Sequence, residues 1–243
     1  MRILVLQHVN VEHPGSFREV LVAQGCTMYQ VELDEGEHIP PLDGFDVMLA
    51  MGGPMDVWQE AEYPWLVAEK AAIREWVRAG RPYLGMCLGE QLLACALDGE
   101  VAAMAGPPEV GLSHVTLRPD TLFEGLDTDC LCFQWHGAEV TKLPTGARLL
   151  ASSPGCAVQG FAVGAHAYGL QFHLELTEAT AAEWGALPAY AAGLEAVKGA
   201  GALVALEAEV RENLPRLRQT AHTLFGNFLA SARAILSGRA AAE

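Results

Sequence analysis

Short apolar segments alternate with segments of helical spacing along residues 1–97, and this alternation restricts the possible folds more than any other feature. The predicted strands are Arg2–His8, Thr27–Leu33, Phe45–Met51 and Pro82–Met86, and the predicted helices are Phe17–Gln24, Tyr63–Ala79 and Leu88–Leu97. Strands separated by helices usually pair in parallel, because the crossover returns the chain to the same edge. We therefore predict an α/β fold with a mostly parallel central sheet, helices on both faces and reactive groups at the carboxyl ends of the strands.

The pattern changes between Glu109 and Gln171, where short β-like segments follow one another without long helices. These segments are His114–Leu117, Asp129–Gln134, Ala157–Val163 and Ala167–Gln171. Consecutive strands joined by short turns form hairpins. We therefore expect an antiparallel extension of the sheet.

The segment that follows Thr177 is rich in Ala, Leu and Glu. Its apolar residues recur at three- and four-residue steps in the order Leu214, Leu217, Ala221, Leu224, Phe225 and Phe228. Such spacing predicts an amphipathic helix whose apolar face packs on the core. Because no clear linker interrupts the chain, we expect a single domain over residues 1–243, with an α/β core at 1–176 and a helical extension at 177–243.

Charge and cysteine usage exclude several classes of function. The chain has 15 Lys and Arg residues against 30 Asp and Glu residues, and its net charge of −15 would repel nucleic acids and anionic membrane surfaces. It has no apolar stretch of membrane-spanning length and no signal peptide at its N-terminus, so we expect a cytoplasmic protein. Its 6 cysteines form no paired Cys-x-x-Cys sets, so we expect reduced thiols and no metal site.

One cysteine stands in a pattern typical of a nucleophile. Cys87 lies between the predicted strand Pro82–Met86 and the predicted helix Leu88–Leu97, with Gly85 and Gly89 two positions to either side. Small residues at these positions allow a strand and a helix to approach closely around a sharp turn. The turn exposes the sulfur at a helix N-terminus, where the dipole and free N–H groups favour a thiolate and can hold an oxyanion.

A base for this nucleophile is available further along the chain. His173 and Glu175 lie two residues apart at the predicted end of a strand, where alternate residues share a face. Glu175 could orient the imidazole, while His173 takes the thiol proton and later gives a proton to a leaving amine. The sequence thus predicts a Cys-His-Glu triad.

Together these residues resemble the class I, triad-type glutamine amidotransferases, including the amidotransferase domain of GMP synthase. The resemblance rests on the turn around Cys87, on the Gly-Leu-Gln-Phe-His-x-Glu segment from Gly169 to Glu175, and on Gly52-Gly53-Pro54 after the third predicted strand. All three motifs occur in the order found in the family. The resemblance implies a flavodoxin-like class I amidotransferase fold and an activity that needs no cofactor.

The resemblance also implies a role for each matched position. Cys87 would attack the amide carbon of glutamine and form a γ-glutamyl thioester, with release of ammonia. The backbone N–H groups of Gly53 and Leu88 would form the oxyanion hole. The implied substrate contacts are Gly52, Gln91, Trp135, His136 and Gly137, although His136 fits a structural role equally well.

Two positions depart from the pattern of the GMP synthase type. Ala138 stands where many relatives carry Asp, and Leu174 stands where they carry Pro. Loss of the Asp removes a polar group near the substrate's α-amino group, which opens the question of strict preference for free glutamine. Loss of the proline removes no reacting group.

Three functions are compatible with these residues. The first is a glutaminase that supplies ammonia to a separate synthetase subunit, because residues 1–243 contain no second domain that could use ammonia. The second is a free-standing hydrolase of γ-glutamyl amides or peptides that uses the same triad. The third is a non-catalytic binding module that kept the fold.

Overall fold

The computed structural model describes residues 1–241, and these residues form the predicted α/β architecture. The strands are β1 (Arg2–Gln7), β2 (Thr27–Glu32), β3 (Val47–Ala50), β4 (Tyr83–Met86), β5 (Glu100–Ala103), β6 (Glu109–Leu117), β7 (Asp129–His136), β8 (Ala138–Lys142), β9 (Arg148–Ser152), β10 (Gly160–Val163) and β11 (Ala167–Leu170). The helices are α1 (Phe17–Ala23), α2 (Trp65–Arg78), α3 (Leu88–Ala96), α4 (Thr180–Gly185), α5 (Pro188–Lys198) and α6 (Ala202–Ala240).

The main sheet of the described residues has the strand order β2-β1-β3-β4-β11-β10-β9-β6-β7. The first five strands in this order are parallel to one another, whereas the neighbours from β11 to β7 pair antiparallel. A small second sheet pairs β5 with β8. The predicted parallel sheet and its antiparallel extension are thereby confirmed.

Some predicted boundaries were wrong. The sequence missed β5, β8 and β9, and β6 begins at Glu109 rather than at His114. The segment predicted as a strand from Ala157 starts only at Gly160. It is preceded by a turn in which the Ser153 backbone N–H donates to the Cys156 carbonyl at 2.9 Å.

Helices cover both faces of the sheet, as predicted. Alternate residues of β1 point to opposite faces, so that Ile3 belongs to the apolar cluster beneath α1 and α6, while Leu4 belongs to the cluster beneath α2 and α3. The apolar stripe predicted for the last helix is buried along α6, where Phe225 stacks on Phe17 with ring centroids 4.3 Å apart.

Within residues 1–241, no helix taken singly has the length and apolar composition of a membrane span. The bent pair of α5 and α6, which meet at 92°, meets these criteria on length and composition alone.

Candidate active site

Cys87 lies at the sharp turn between β4 and α3, at the carboxyl edge of the parallel strands. Its φ of 49° is in the left-handed region, which a residue with a side chain rarely adopts. A Cβ atom on Gly85 would lie 2.4 Å from the carbonyl carbon of Gly89, and one on Gly89 would lie 2.1 Å from the carbonyl oxygen of Ala50. Glycine is therefore required on both sides of Cys87, for the reason that the sequence suggested.

His173 and Glu175 reach Cys87 because β11 pairs in parallel with β4. The Cys87 backbone N–H donates to the Leu170 carbonyl at 2.7 Å, which fixes the start of the segment that carries both residues. That segment is not a regular strand, since among the described residues it forms one isolated antiparallel bridge, between His173 and Phe133 of β7.

The two residues form a buried pair. Nδ1 of His173 lies 2.7 Å from Oε1 of Glu175, and the Leu174 backbone N–H donates to Oε2 at 2.9 Å. The other ring nitrogen, Nε2, has no partner of standard hydrogen-bond geometry among residues 1–241, although the Cys87 thiol lies close enough to interact with the ring. Catalytic hydrogen bonds are often long or poorly aligned in a site without substrate.

Burial and mutual attraction determine the charges of the three groups. Burial raises the pKa of the Cys87 thiol, and His173 offsets only part of this effect, so the lowering expected at a helix N-terminus is not found. Burial alone would lower the pKa of His173, but Glu175 and Cys87 together raise it well above its usual value. Burial alone would raise the pKa of Glu175, but the charge and hydrogen bond of His173 together with the backbone N–H groups of Leu174 and Glu175 lower it.

A second carboxylate, which the sequence analysis missed, lies beside this pair. Glu12 follows β1 and is almost fully buried, and the Tyr190 hydroxyl of α5 donates to its Oε1. Glu12, His173 and Glu175 each place a side-chain atom within 4.8 Å of the others. Trp184 of α4 packs edge-on against the His173 ring, with centroids 4.6 Å apart.

The Gly52-Gly53 turn after β3 lies on the other side of Cys87. The Gly52 carbonyl lies 2.9 Å from Nδ1 of His8, and the other nitrogen of His8 lies 2.9 Å from Oε1 of the buried Glu69. The backbone N–H group of Gly53 donates to no backbone carbonyl within the described part of the chain, and neither does that of Leu88. Neither N–H group is thus committed to another backbone carbonyl, and the oxyanion hole remains a prediction.

A cavity of about 290 Å³ opens at Cys87. Of the predicted substrate contacts, Gln91, Trp135, His136 and Gly137 line the cavity, and Gly52 does not. Helix α5 contributes Ala189, Tyr190 and Gly193 to the wall, which sequence reasoning did not foresee.

Protein contacts already hold three of the lining side chains. Nε2 of Gln91 donates to Gln171 Oε1 at 2.9 Å, and Nε1 of Trp135 donates to the Tyr190 carbonyl at 3.2 Å. Both ring nitrogens of His136 are engaged, one with the Ala138 carbonyl at 3.0 Å and the other with Glu109 Oε2 at 3.1 Å. His136 is thus held as a structural wall residue.

The polarity of the cavity wall is uneven. Asp56 is its acidic residue, and no Lys or Arg is among the described residues that line it. Ala138 adds a small apolar side chain to the wall. An acidic group in a pocket without a basic side chain favours a ligand that carries an ammonium group.

Comparison with known proteins identifies relatives of this chain. The family model described as glutamine amidotransferase class-I matches residues 15–183, a span that contains Cys87, His173 and Glu175. The glutamine amidotransferase-like protein YfeJ of Salmonella typhimurium is 32% identical over 190 residues, which cover 73% of this chain and 77% of that protein. A subunit of the glutamine-hydrolysing GMP synthase of Sulfolobus acidocaldarius is 34% identical over 149 residues, which cover 60% of this chain and 76% of that protein.

The fold has close counterparts among solved structures. The crystal structure of a glutamine amidotransferase from Thermotoga maritima matches with a TM-score of 0.84 and 28% identity, covering 94% of this chain and 97% of that one. The expected resemblance is confirmed by sequence and by fold, and the chain belongs to the class I glutamine amidotransferase family.

Proposed function

We propose that this enzyme hydrolyses the side-chain amide of glutamine through Cys87, His173 and Glu175, and that it releases ammonia for a separate synthetase. The observation that carries the proposal is the arrangement of a thiol on a strained strand-to-helix turn, a buried His173–Glu175 pair beside it and a cavity that opens at the sulfur. A nucleophile, a base and an orienting acid in contact are the parts that acyl transfer needs.

The proposed reaction has two halves. His173 takes the thiol proton, and the sulfur of Cys87 attacks the amide carbon to form a tetrahedral oxyanion. The N–H groups of Gly53 and Leu88 stabilise this oxyanion, each by on the order of 3 kcal/mol. The carbon–nitrogen bond then breaks, His173 gives its proton to the leaving nitrogen, and ammonia departs from a γ-glutamyl thioester.

Water completes the cycle. His173 removes a proton from the water molecule as its oxygen attacks the thioester carbonyl, and the carbon–sulfur bond breaks to release glutamate. The proton on His173 returns to the sulfur of Cys87. Throughout, Glu175 holds the imidazole and stabilises its charged form, which its distance of 2.7 Å from Nδ1 supports.

A separate ammonia acceptor is suggested by the relatives. The similar Sulfolobus protein is named as one subunit of a GMP synthase, which implies that another subunit completes that enzyme. By analogy, we expect this chain to deliver ammonia to a partner rather than to consume it.

A free-standing γ-glutamyl hydrolase is the second candidate, and the lining of the cavity favours it. Ala138 lines the wall where many relatives carry Asp, so the substrate meets a smaller and apolar side chain there. Such a wall would place less demand on the identity of the γ-glutamyl compound.

Glutamate release from purified protein separates these candidates. It would be measured with glutamine and with a panel of γ-glutamyl amides and peptides, beside Cys87→Ala and a control, Cys26→Ala, whose sulfur lies in the loop before β2. Release from glutamine alone, lost only in Cys87→Ala, supports the amidotransferase. Release from many γ-glutamyl compounds supports the hydrolase, and no release from any compound, with or without a synthetase, would leave a binding module as the only remaining function.

A further inference from the structure

We propose that Glu12 is a positioning residue that holds the proton on His173 and connects the triad to helix α5 of the C-terminal extension. The inference rests on the triad assignment proposed above. It concerns a residue that lies outside the three sequence motifs.

The position of Glu12 is enforced by the backbone around it. Its own N–H donates to the Val9 carbonyl at 3.0 Å, and Nε1 of Trp184 donates to the neighbouring Val11 carbonyl at 3.0 Å. Four residues later, the Ser16 N–H donates to the Glu175 carbonyl at 2.8 Å. The loop that carries Glu12 is thus fastened both to the triad segment and to the C-terminal extension.

Glu12 and His173 both lie close to the backbone of Gly52. A Cβ atom on Gly52 would lie 2.5 Å from Glu12 Oε2 and 3.1 Å from Cε1 of His173. Glycine at position 52 is therefore required for Glu12 and His173 to lie side by side. Gly52 is therefore needed for the arrangement of these side chains, although it does not line the cavity.

The two oxygens of Glu12 have different environments. Oε1 accepts a hydrogen bond from the Tyr190 hydroxyl, whereas Oε2 is buried without a hydrogen-bond partner among residues 1–241. A buried polar atom without a partner is costly, and native proteins retain such atoms chiefly where they serve a function. The unpartnered oxygen faces the space beside His173.

The charge of Glu12 responds to the groups that face it. Burial raises the pKa of the Glu12 carboxyl to about 7, and the negative charge of Glu175 adds to this effect. His173, the Tyr190 hydroxyl and His8 lower the pKa and offset only part of the rise. Among these groups, His173 gives the strongest stabilisation of the ionised form.

The attraction between Glu12 and His173 is reciprocal. An ionised Glu12 must therefore hold the imidazolium proton more tightly, and it also raises the pKa of the Cys87 thiol to a smaller degree than burial does. The thiolate and imidazolium pair exists only while His173 keeps its proton. Glu12 consequently keeps His173 protonated, and the thiolate and imidazolium pair intact, up to a higher pH.

The test measures the thiolate and imidazolium pair. Alkylation of Cys87 by iodoacetate, an anion whose approach to the sulfur is favoured by the positive charge of the imidazolium, would be followed from pH 5 to pH 10. Mass spectrometry of the Cys87 peptide would give the rate in the wild type, Glu12→Gln and Tyr190→Phe. Glu35→Gln is the matched control, because Glu35 is an exposed carboxylate in the turn after β2. The measurement uses the full chain and requires no substrate.

In Glu12→Gln, the fall in the alkylation rate at alkaline pH is expected to occur about one pH unit lower than in the wild type. This fall is the alkaline limb of the rate profile, and the rise at acid pH is its acid limb. The acid limb should move less, because Glu12 is protonated there in the wild type. Tyr190→Phe should give a smaller shift in the same direction, since the lost hydroxyl no longer stabilises the ionised carboxylate. Glu35→Gln should match the wild type.

An unchanged alkaline limb in Glu12→Gln would overturn the proposal, and if that variant does not fold, an unchanged limb in Tyr190→Phe would do so. The role of Glu12 and the glutaminase activity can fail separately in these experiments. A shifted limb in a protein that hydrolyses no amide would refute the glutaminase activity and leave the role of Glu12 intact.

Discussion

Asp56 is the acidic residue of the cavity wall, and we expect it to bind the ammonium group of the substrate. If its carboxylate binds the ammonium group of the substrate, Asp56→Asn should raise the KM for glutamine about tenfold, because a hydrogen bond to a charged group contributes about 1.5–3 kcal/mol. The kcat should change little, since the ammonium group is remote from the reacting amide. Steady-state kinetics with glutamine would check this, and an unchanged KM would exclude Asp56 from substrate binding.

Glu12 also makes a prediction about stability. Its pKa rises on folding from about 4.5 to about 7, so the folded state binds the proton more tightly and loses stability as the pH rises through this interval. The loss amounts to roughly 3 kcal/mol, and Glu12→Gln should be free of it. Urea unfolding at pH 5 and pH 8 should show that the variant gains stability relative to the wild type at the higher pH. Equal differences at both values would contradict the assignment.

Among the residues of the candidate site, the sequence predicted those whose motif partners lie close to them in the chain. Cys87 could be identified because its glycines lie two positions away, and His173 because Glu175 is two positions away. Glu12 could not be identified in this way, since its hydrogen-bond partner Tyr190 lies 178 residues further along the chain. The clue that was available is the place of Glu12 just after β1, whose carboxyl end adjoins that of β3 in a parallel sheet.

The junction between β4 and α3 shows how an element positions a side chain. In Gly89→Ala, the new Cβ would lie 2.1 Å from the Ala50 carbonyl oxygen, so α3 must shift away from β3. We expect a loss of about 3 kcal/mol in the free energy of unfolding and slower alkylation of Cys87. Gly226→Ala in α6 is the control, because nothing lies within 4 Å of its Cβ and alanine favours helix by about 1 kcal/mol. Equal stability of the two variants would contradict this account.

Prediction of the elements succeeded where apolar periodicity was strong. Most strands and helices of residues 1–97 were found because they contribute several buried side chains to the two apolar clusters, although β2 contributes only Val31. Strand β5 was missed because it is short and largely exposed, so its residues carry little alternation. Its partner β8 and the following β9 are almost as short, and β8 is defined by its pairing with the distant β5 rather than by its composition.

The whole molecule depends on α6 to cover one face of the sheet. Phe225 is fully buried and stacks on Phe17 at 4.3 Å, and Phe228 packs edge-on against Tyr168. Phe225→Ala should therefore lower the free energy of unfolding by about 3–5 kcal/mol, which denaturant titration would measure. A loss below about 1 kcal/mol would mean that the Phe225 contact contributes little to holding α6 on the sheet. The division into a core at 1–176 and an extension at 177–243 remains a prediction.

Trp184 packs edge-on against His173, so its intrinsic fluorescence can report the protonation state of the imidazole. Excited indole transfers an electron more readily to a protonated imidazole than to a neutral one, so the emission of Trp184 depends on whether His173 carries its proton. Trp135 lies 6.0 Å from Trp184 between ring centroids and also lines the cavity, which adds a second fluorophore that responds to ligand. The state of the triad can thus be followed by light emission, without substrate turnover and without a label.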